Sequence, residues 1–198
     1  MLPAFAVLFL FACHHPVSDS GSSSDSTLTA KADSTKKNYI PIGDFLKNEI
    51  SIVDSTPSLI TLYHEKNNRK DSVIINTKEF DELAKDFLRK ELDSPTFENA
   101  FTENSFMDRT TGQLNFTYST KDSGNGLKRV DFLASATPNG AEKMNSVYLE
   151  IYNSIKDTSE INKMVWKAGS YFTILRISQP VHGQAVVSQT KVVWGSRD

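Results

Sequence analysis

The sequence predicts an α+β domain in which two N-terminal helices pack on a curved antiparallel β-meander of about six to eight strands. Three observations predict it. Residues 76–92, "NTKEFDELAKDFLRKEL", carry apolar side chains at helical spacing. From about residue 105 onward the apolar period drops to two. Short turn signals, Asn125-Gly126 and Asn139-Gly140 the strongest, separate the alternating runs. Strands joined by such short turns must be antiparallel, because parallel neighbours need a long crossover.

Each element follows in chain order. Residues 39–57, "YIPIGDFLKNEISIVDSTP", read as a first helix. Pro41 fits its first turn, Asp44 suits its positive end, and Pro57 stops it. Ile42, Leu46, Ile50 and Val53 fall on one face. Residues 58–66 and 71–75 are β-rich and flank "NNRK", which predicts a hairpin. In the 76–92 helix, Asn76 and Glu79 have the spacing of a capping box. Phe80, Leu83, Ala84, Phe87 and Leu88 make its apolar stripe, and charges at i, i+4 make the solvated face. The strands follow, with Leu114, Phe116 and Tyr118 alternating, then Val130, Phe132, Ala134 and Ala136, and then Val147, Leu149 and Ile151. Met164 and Trp166, Phe172 and Ile174, and Val192 and Trp194 continue the pattern. Turn signals lie at 123–126, 138–140, 156–160, 167–170 and 179–183. The expected globular unit is 38–198, one α+β domain; two small halves divided near residue 100 are the other arrangement the pattern permits.

The chain ahead of that domain differs in kind. Met1 to Ala12 is uncharged and almost wholly apolar, the length of a signal-peptide core and too short to span a bilayer. It runs into Leu10-Phe11-Ala12-Cys13, which resembles the lipobox of bacterial lipoproteins. The usual Lys or Arg before the apolar run is absent from Met1-Leu2-Pro3. The resemblance implies that residues 1–12 are a signal peptide, that the Cys13 thiol takes a diacylglyceryl group, and that cleavage before Cys13 frees an amine for acylation. More than one acyl chain is needed, because each buried CH₂ contributes about 0.8 kcal/mol and a single chain holds marginally. Residues 13–37 are the lipidated cysteine and a Ser/Asp-rich tether, too poor in apolar side chains to offset ordering entropy. Position 14 is His, not the Asp that favours inner-membrane retention in enteric lipoproteins, so the implied address is the cell envelope, at the outer membrane of a Gram-negative cell.

The residue inventory excludes more chemistry than it suggests. The 198 residues carry 22 basic and 24 acidic side chains, net -2, which does not suit a phosphate backbone and argues against nucleic-acid binding. Cys13 is the only cysteine, so neither an internal disulfide nor a CxxC metal or redox site is available. His64-Glu65 begins like a zinc-protease helix, but Asn68 stands where the second His belongs and the run is strand-like. No GxSxG, GxGxxG or Walker-type loop is present. No metal or cofactor is implied. Tyr148 and Tyr152 alternate away from the Val147/Leu149/Ile151 face, so that one strand is apolar on one side and tyrosine-bearing on the other. With His182 in the loop "QPVHGQ", they are the candidate binding residues. The reading that follows is a membrane-tethered envelope lipoprotein with no catalytic role, whose domain binds or assembles with another envelope component through an open sheet face or edge. The alternatives are an envelope hydrolase with dispersed Asp, Glu and His, and a carrier of apolar ligands.

Overall fold

The computed structural model describes residues 40–56, 58–136 and 142–195. The lipobox at Leu10-Phe11-Ala12-Cys13, the 13–37 tether, Pro57 and the turn at Asn139-Gly140 lie outside them.

The architecture is α+β with an antiparallel sheet, but of nine strands and not six to eight. The strands are β1 Ile60–Lys66, β2 Arg69–Ile75, β3 Phe101–Asp108, β4 Gln113–Thr120, β5 Leu127–Ala136, β6 Glu142–Ile155, β7 Thr158–Lys167, β8 Tyr171–Pro180 and β9 Val186–Val193. Their order is β2-β1-β9-β8-β7-β6-β5-β4-β3. Seven strands form the meander, and the hairpin made early in the chain docks on its last strand. Thr61 pairs with Val193 and Lys66 with Ser188. That long-range pairing joins the two halves that the sequence left separable near residue 100, so the described residues share one sheet. The β1–β2 turn is shorter than "NNRK". Asn67 and Asn68 alone make it, both at positive φ (52° and 61°), the conformation of a two-residue turn that Asn tolerates well. Arg69 and Lys70 already belong to β2.

The helices also depart from expectation. The first begins at Ile42, and the described residues hold three α-helices, not two N-terminal ones. Helix α1, Ile42–Ser55, has Pro41 just outside it at the N-cap. The Pro41 carbonyl accepts the Phe45 N–H at 2.9 Å, so a residue with no N–H of its own still starts the ladder. Helix α2, Thr77–Ala84, opens with the expected capping box. The Asn76 side chain accepts from the Glu79 N–H, and the Glu79 carboxylate accepts from the Asn76 N–H, each at 3.0 Å. It then stops, and two 3₁₀ turns, Lys85–Phe87 and Lys90–Leu92, replace the rest of the 76–92 helix. Tightening the chain here drops Phe87 against Trp166 and Phe172, at 5.2 and 5.3 Å between ring centres, and turns Leu88 out to solvent. Tertiary packing overrides a helical pattern that local propensity alone favours. Helix α3, Ser94–Ala100, was not anticipated. Pro95 sits in its first turn, and it buries Phe97 on Phe101 and Tyr118, at 4.6 and 4.8 Å.

The core lies on one face of the sheet. Side chains alternate along a strand, so register partners share a face. Trp166 pairs with Phe172 and with Val147, Phe172 with Val192, and Leu149 with Met164, and all six are buried. Phe80 of α2 seats on this layer, 6.2 Å from Trp166, 5.7 Å from Phe172 and 5.2 Å from Trp194. Edge-to-face and offset contacts of this kind suit the ring quadrupoles. Glu49 of α1 fastens the helix to the β7–β8 turn, accepting from the Gly169 N–H at 2.7 Å and from the Trp166 indole N–H at 3.3 Å. The same face turns polar past the helices. There Asn162 donates to Glu160 (2.9 Å) and accepts from Arg176 (3.1 Å), while Arg176 lies 3.5 Å from Asp86 behind α2. The apolar residues predicted from alternation, Val130, Phe132, Ala134, Val147, Leu149, Ile151, Met164, Trp166, Phe172, Ile174, Val192 and Trp194, all face this core.

Candidate functional site

With the core on one face, period two sends every second residue to the other. On β6, Val147, Leu149 and Ile151 are buried, which turns Tyr148, Glu150 and Tyr152 to the face that the core does not use. The three interact along the strand. The Tyr148 hydroxyl donates to Glu150 Oε2 at 3.1 Å, and the Tyr152 hydroxyl to Oε1 at 2.9 Å. Both oxygens of one carboxylate thus hold two phenols along the strand.

Register supplies the flanks. On β5, Asp131 pairs with Tyr148 and Arg129 with Glu150; on β7, Val165, Lys163 and Ile161 pair with Tyr148, Glu150 and Tyr152. Arg129 Nε donates to both oxygens of Asp131, at 2.8 and 2.9 Å. The two charges of β5 therefore neutralise one another, and Lys163 faces Glu150 across the strand. A hollow of about 300 Å³ opens beside Tyr148 over β3 to β7, lined by Phe106, Asn115, Thr117, Asp131, Leu133 and Val165 among others.

Glu150 sets the electrostatics of the cluster. Partial burial, with the nearby Glu150 charge and hydrogen bond, pushes the Tyr148 phenol up to about 12. The hydrogen bond to Glu150 raises Tyr152 as well. Both phenols keep their protons at neutral pH and donate them to a fixed acceptor, Glu150. The bond to Asp131 raises Arg129, which stays a cation.

Below the cluster, Tyr152 begins an apolar row across four strands. Tyr152 pairs with Ile161, Ile161 with Ile177, and Ile177 with Val187. Its two ends are 44% and 48% exposed, so the row is open to a partner.

His182 is not part of this cluster. It is exposed in the β8–β9 loop, which the Val181 N–H fastens to the Asp157 carbonyl at 2.7 Å. His64 lies on β1 opposite Asp71, exposed, with Nδ1 3.4 Å from Thr190 Oγ1. No group of three His, Cys, Asp or Glu able to hold a metal occurs among the described residues. Asp108 builds the β3–β4 turn. It accepts from the Thr110 N–H and the Thr111 hydroxyl, which hold its carboxyl below the usual range. No helix among the described residues is long and apolar enough to cross a membrane.

Sequence reasoning found Tyr148 and Tyr152 but missed Glu150, Arg129 and Asp131. Glu150 was within reach, since it lies two residues from each tyrosine and so on the same face. Arg129 and Asp131 needed the β5–β6 register, which includes an irregularity between Leu127 and Arg129. Comparison with protein-family models, curated proteins and solved structures finds no match to this chain.

Proposed function

We propose that the chain is a lipid-anchored envelope protein with no catalytic role, whose sheet binds another envelope component through the face opposite the helices. One observation carries the reading of the domain. The helices and the aromatic core take one face of the nine-stranded sheet, while the other bears a locked tyrosine–carboxylate cluster and an exposed apolar row. One carboxylate holds both phenols of that cluster in place, which supports a fixed contact surface. Tyr and flanking aliphatic groups add contact area at low entropic cost, as recognition surfaces require. Cys13 is the proposed lipidation site and 13–37 the proposed spacer; together they support the envelope address at the outer membrane.

The test has two arms. Cys13→Ser should move the protein from the membrane to the soluble fraction and abolish incorporation of labelled palmitate. A mutant that still pellets with membranes, beside a wild type that takes up no label, overturns the anchor. In the second arm, the full-length protein is used to capture its partner from envelope extracts. Tyr152→Glu combined with Val187→Asp should abolish capture without changing the unfolding temperature. Capture that survives both charges overturns the assignment to this face.

A further inference from the structure

We infer that the hollow beside Tyr148 is a binding site for a neutral saccharide, an inference that rests on the proposed binding role of this sheet face. Three features of the hollow carry it. The first is its walls. Tyr148 on β6 and Phe106 on β3, the latter 61% exposed, line it with Leu133 of β5 between them and Val165 of β7 on the far side of Tyr148. Aromatic and aliphatic walls suit the C–H face of a sugar ring, which is apolar. The second is its polar lining, in which Asn115, Thr117 and Asp131 offer amide, hydroxyl and carboxylate groups, both donors and acceptors, to the hydroxyls on a ring edge. Sites for small molecules combine apolar walls with a few convergent polar groups in this way.

The third feature is charge. Arg129 Nε is spent on Asp131, and Glu150 is spent on two phenols and faced by Lys163. The four charges cancel, so the site offers no net attraction to an anion such as a phosphate or to a cationic peptide. Size points the same way. The hollow, about 300 Å³, is at the lower end of small-ligand sites. It suits one or two sugar rings.

The experiment uses the purified full-length protein in a detergent without a sugar headgroup and three probes: maltose, cellobiose and chitobiose. Saturation-transfer NMR and titration calorimetry should detect at least one of them, binding with a Kd below about 10 mM. Tyr148→Ala and Asp131→Asn should each weaken that binding by about tenfold or more, while Ile74→Thr, on the distant β2 edge, leaves it intact. Unfolding temperatures of all three variants establish that each is folded. No transfer to any probe, or binding unchanged in both Tyr148→Ala and Asp131→Asn, overturns the inference. If the sugars fail while an envelope protein is captured in a Tyr152- and Val187-dependent manner, the saccharide site falls and the binding role of the face stands. If the sugars bind and no protein is captured, the saccharide is the component this face binds.

Discussion

Phe80→Ala probes the joint between helix and sheet. Phe80 is fully buried and touches three other rings, Trp166, Phe172 and Trp194. A phenyl side chain buries about 150–250 Å², which at about 25 cal/mol per Å² is about 4–6 kcal/mol. Truncation to Ala keeps part of that contact and leaves a cavity, so about 3–5 kcal/mol is expected. For a domain of this size each kcal/mol lowers Tm by about 2–4 °C, so Tm should fall by about 6–20 °C. Urea unfolding followed by tryptophan fluorescence is the assay, because Trp166 and Trp194 border the cavity. Phe106→Ala is the internal control. Its ring is mostly exposed, and it should change stability by about 0.5 kcal/mol or less. A Phe80→Ala loss under about 1 kcal/mol, or two variants of equal effect, would refute the assignment of the aromatic core to the α2 side of the sheet.

Three further outcomes follow from particular contacts. Glu49→Ala removes the acceptor of the Gly169 and Trp166 N–H groups and should cost about 2 kcal/mol, with a shift in Trp166 emission, in a denaturant titration. Asp81 has its carboxyl raised above the usual 3.8, first by burial and then by Asp54, with Lys85 opposing and Glu82 adding. Its Oδ1 is shut from solvent with no hydrogen-bond partner. Below 3.8 the carboxyl is protonated whether the chain is folded or not; as pH rises through the raised value, the unfolded chain releases the proton more readily and stability is lost. Asp81→Asn escapes that loss, so it should be more stable than wild type at neutral pH, with the gap closing in acid; equal pH profiles in thermal melts would contradict this. Tyr148 contributes stability below its ordinary 10.0 that is lost as pH climbs towards about 12. Phenolate absorbance should show wild type ionising one tyrosine later than Tyr148→Phe leaves any other, and Glu150→Gln should bring that late step down.

The strands were legible in the sequence because burial on one face writes itself as a period of two. Val147, Leu149 and Ile151 name the core face, and in doing so name Tyr148 and Tyr152 as residents of the other. The N-terminus of α2 was legible because the Asn76–Glu79 box is a local device. Its end was not, since the choice between continuing an α-helix and tightening into 3₁₀ turns is made by where Phe87 fits between Trp166 and Phe172, two residues far along the chain. Helix α3 shows too little pattern to read, with one buried ring, Phe97, in seven residues. The place of the early hairpin beside β9 is likewise a long-range fact, absent from the local sequence of either partner. The site splits along the same line. Its β6 residues share a strand and a period, whereas Arg129 and Asp131 join them only through a register that no local pattern states.

Photo-crosslinking in the intact envelope tests the central claim most directly. A benzophenone side chain is placed at Val165 or Val187 on the proposed binding face, and at Lys78 on the exposed side of α2. Adducts with an envelope component are expected from the two sheet positions and none from Lys78. Adducts from Lys78 alone, or none from either valine position, would contradict the claim.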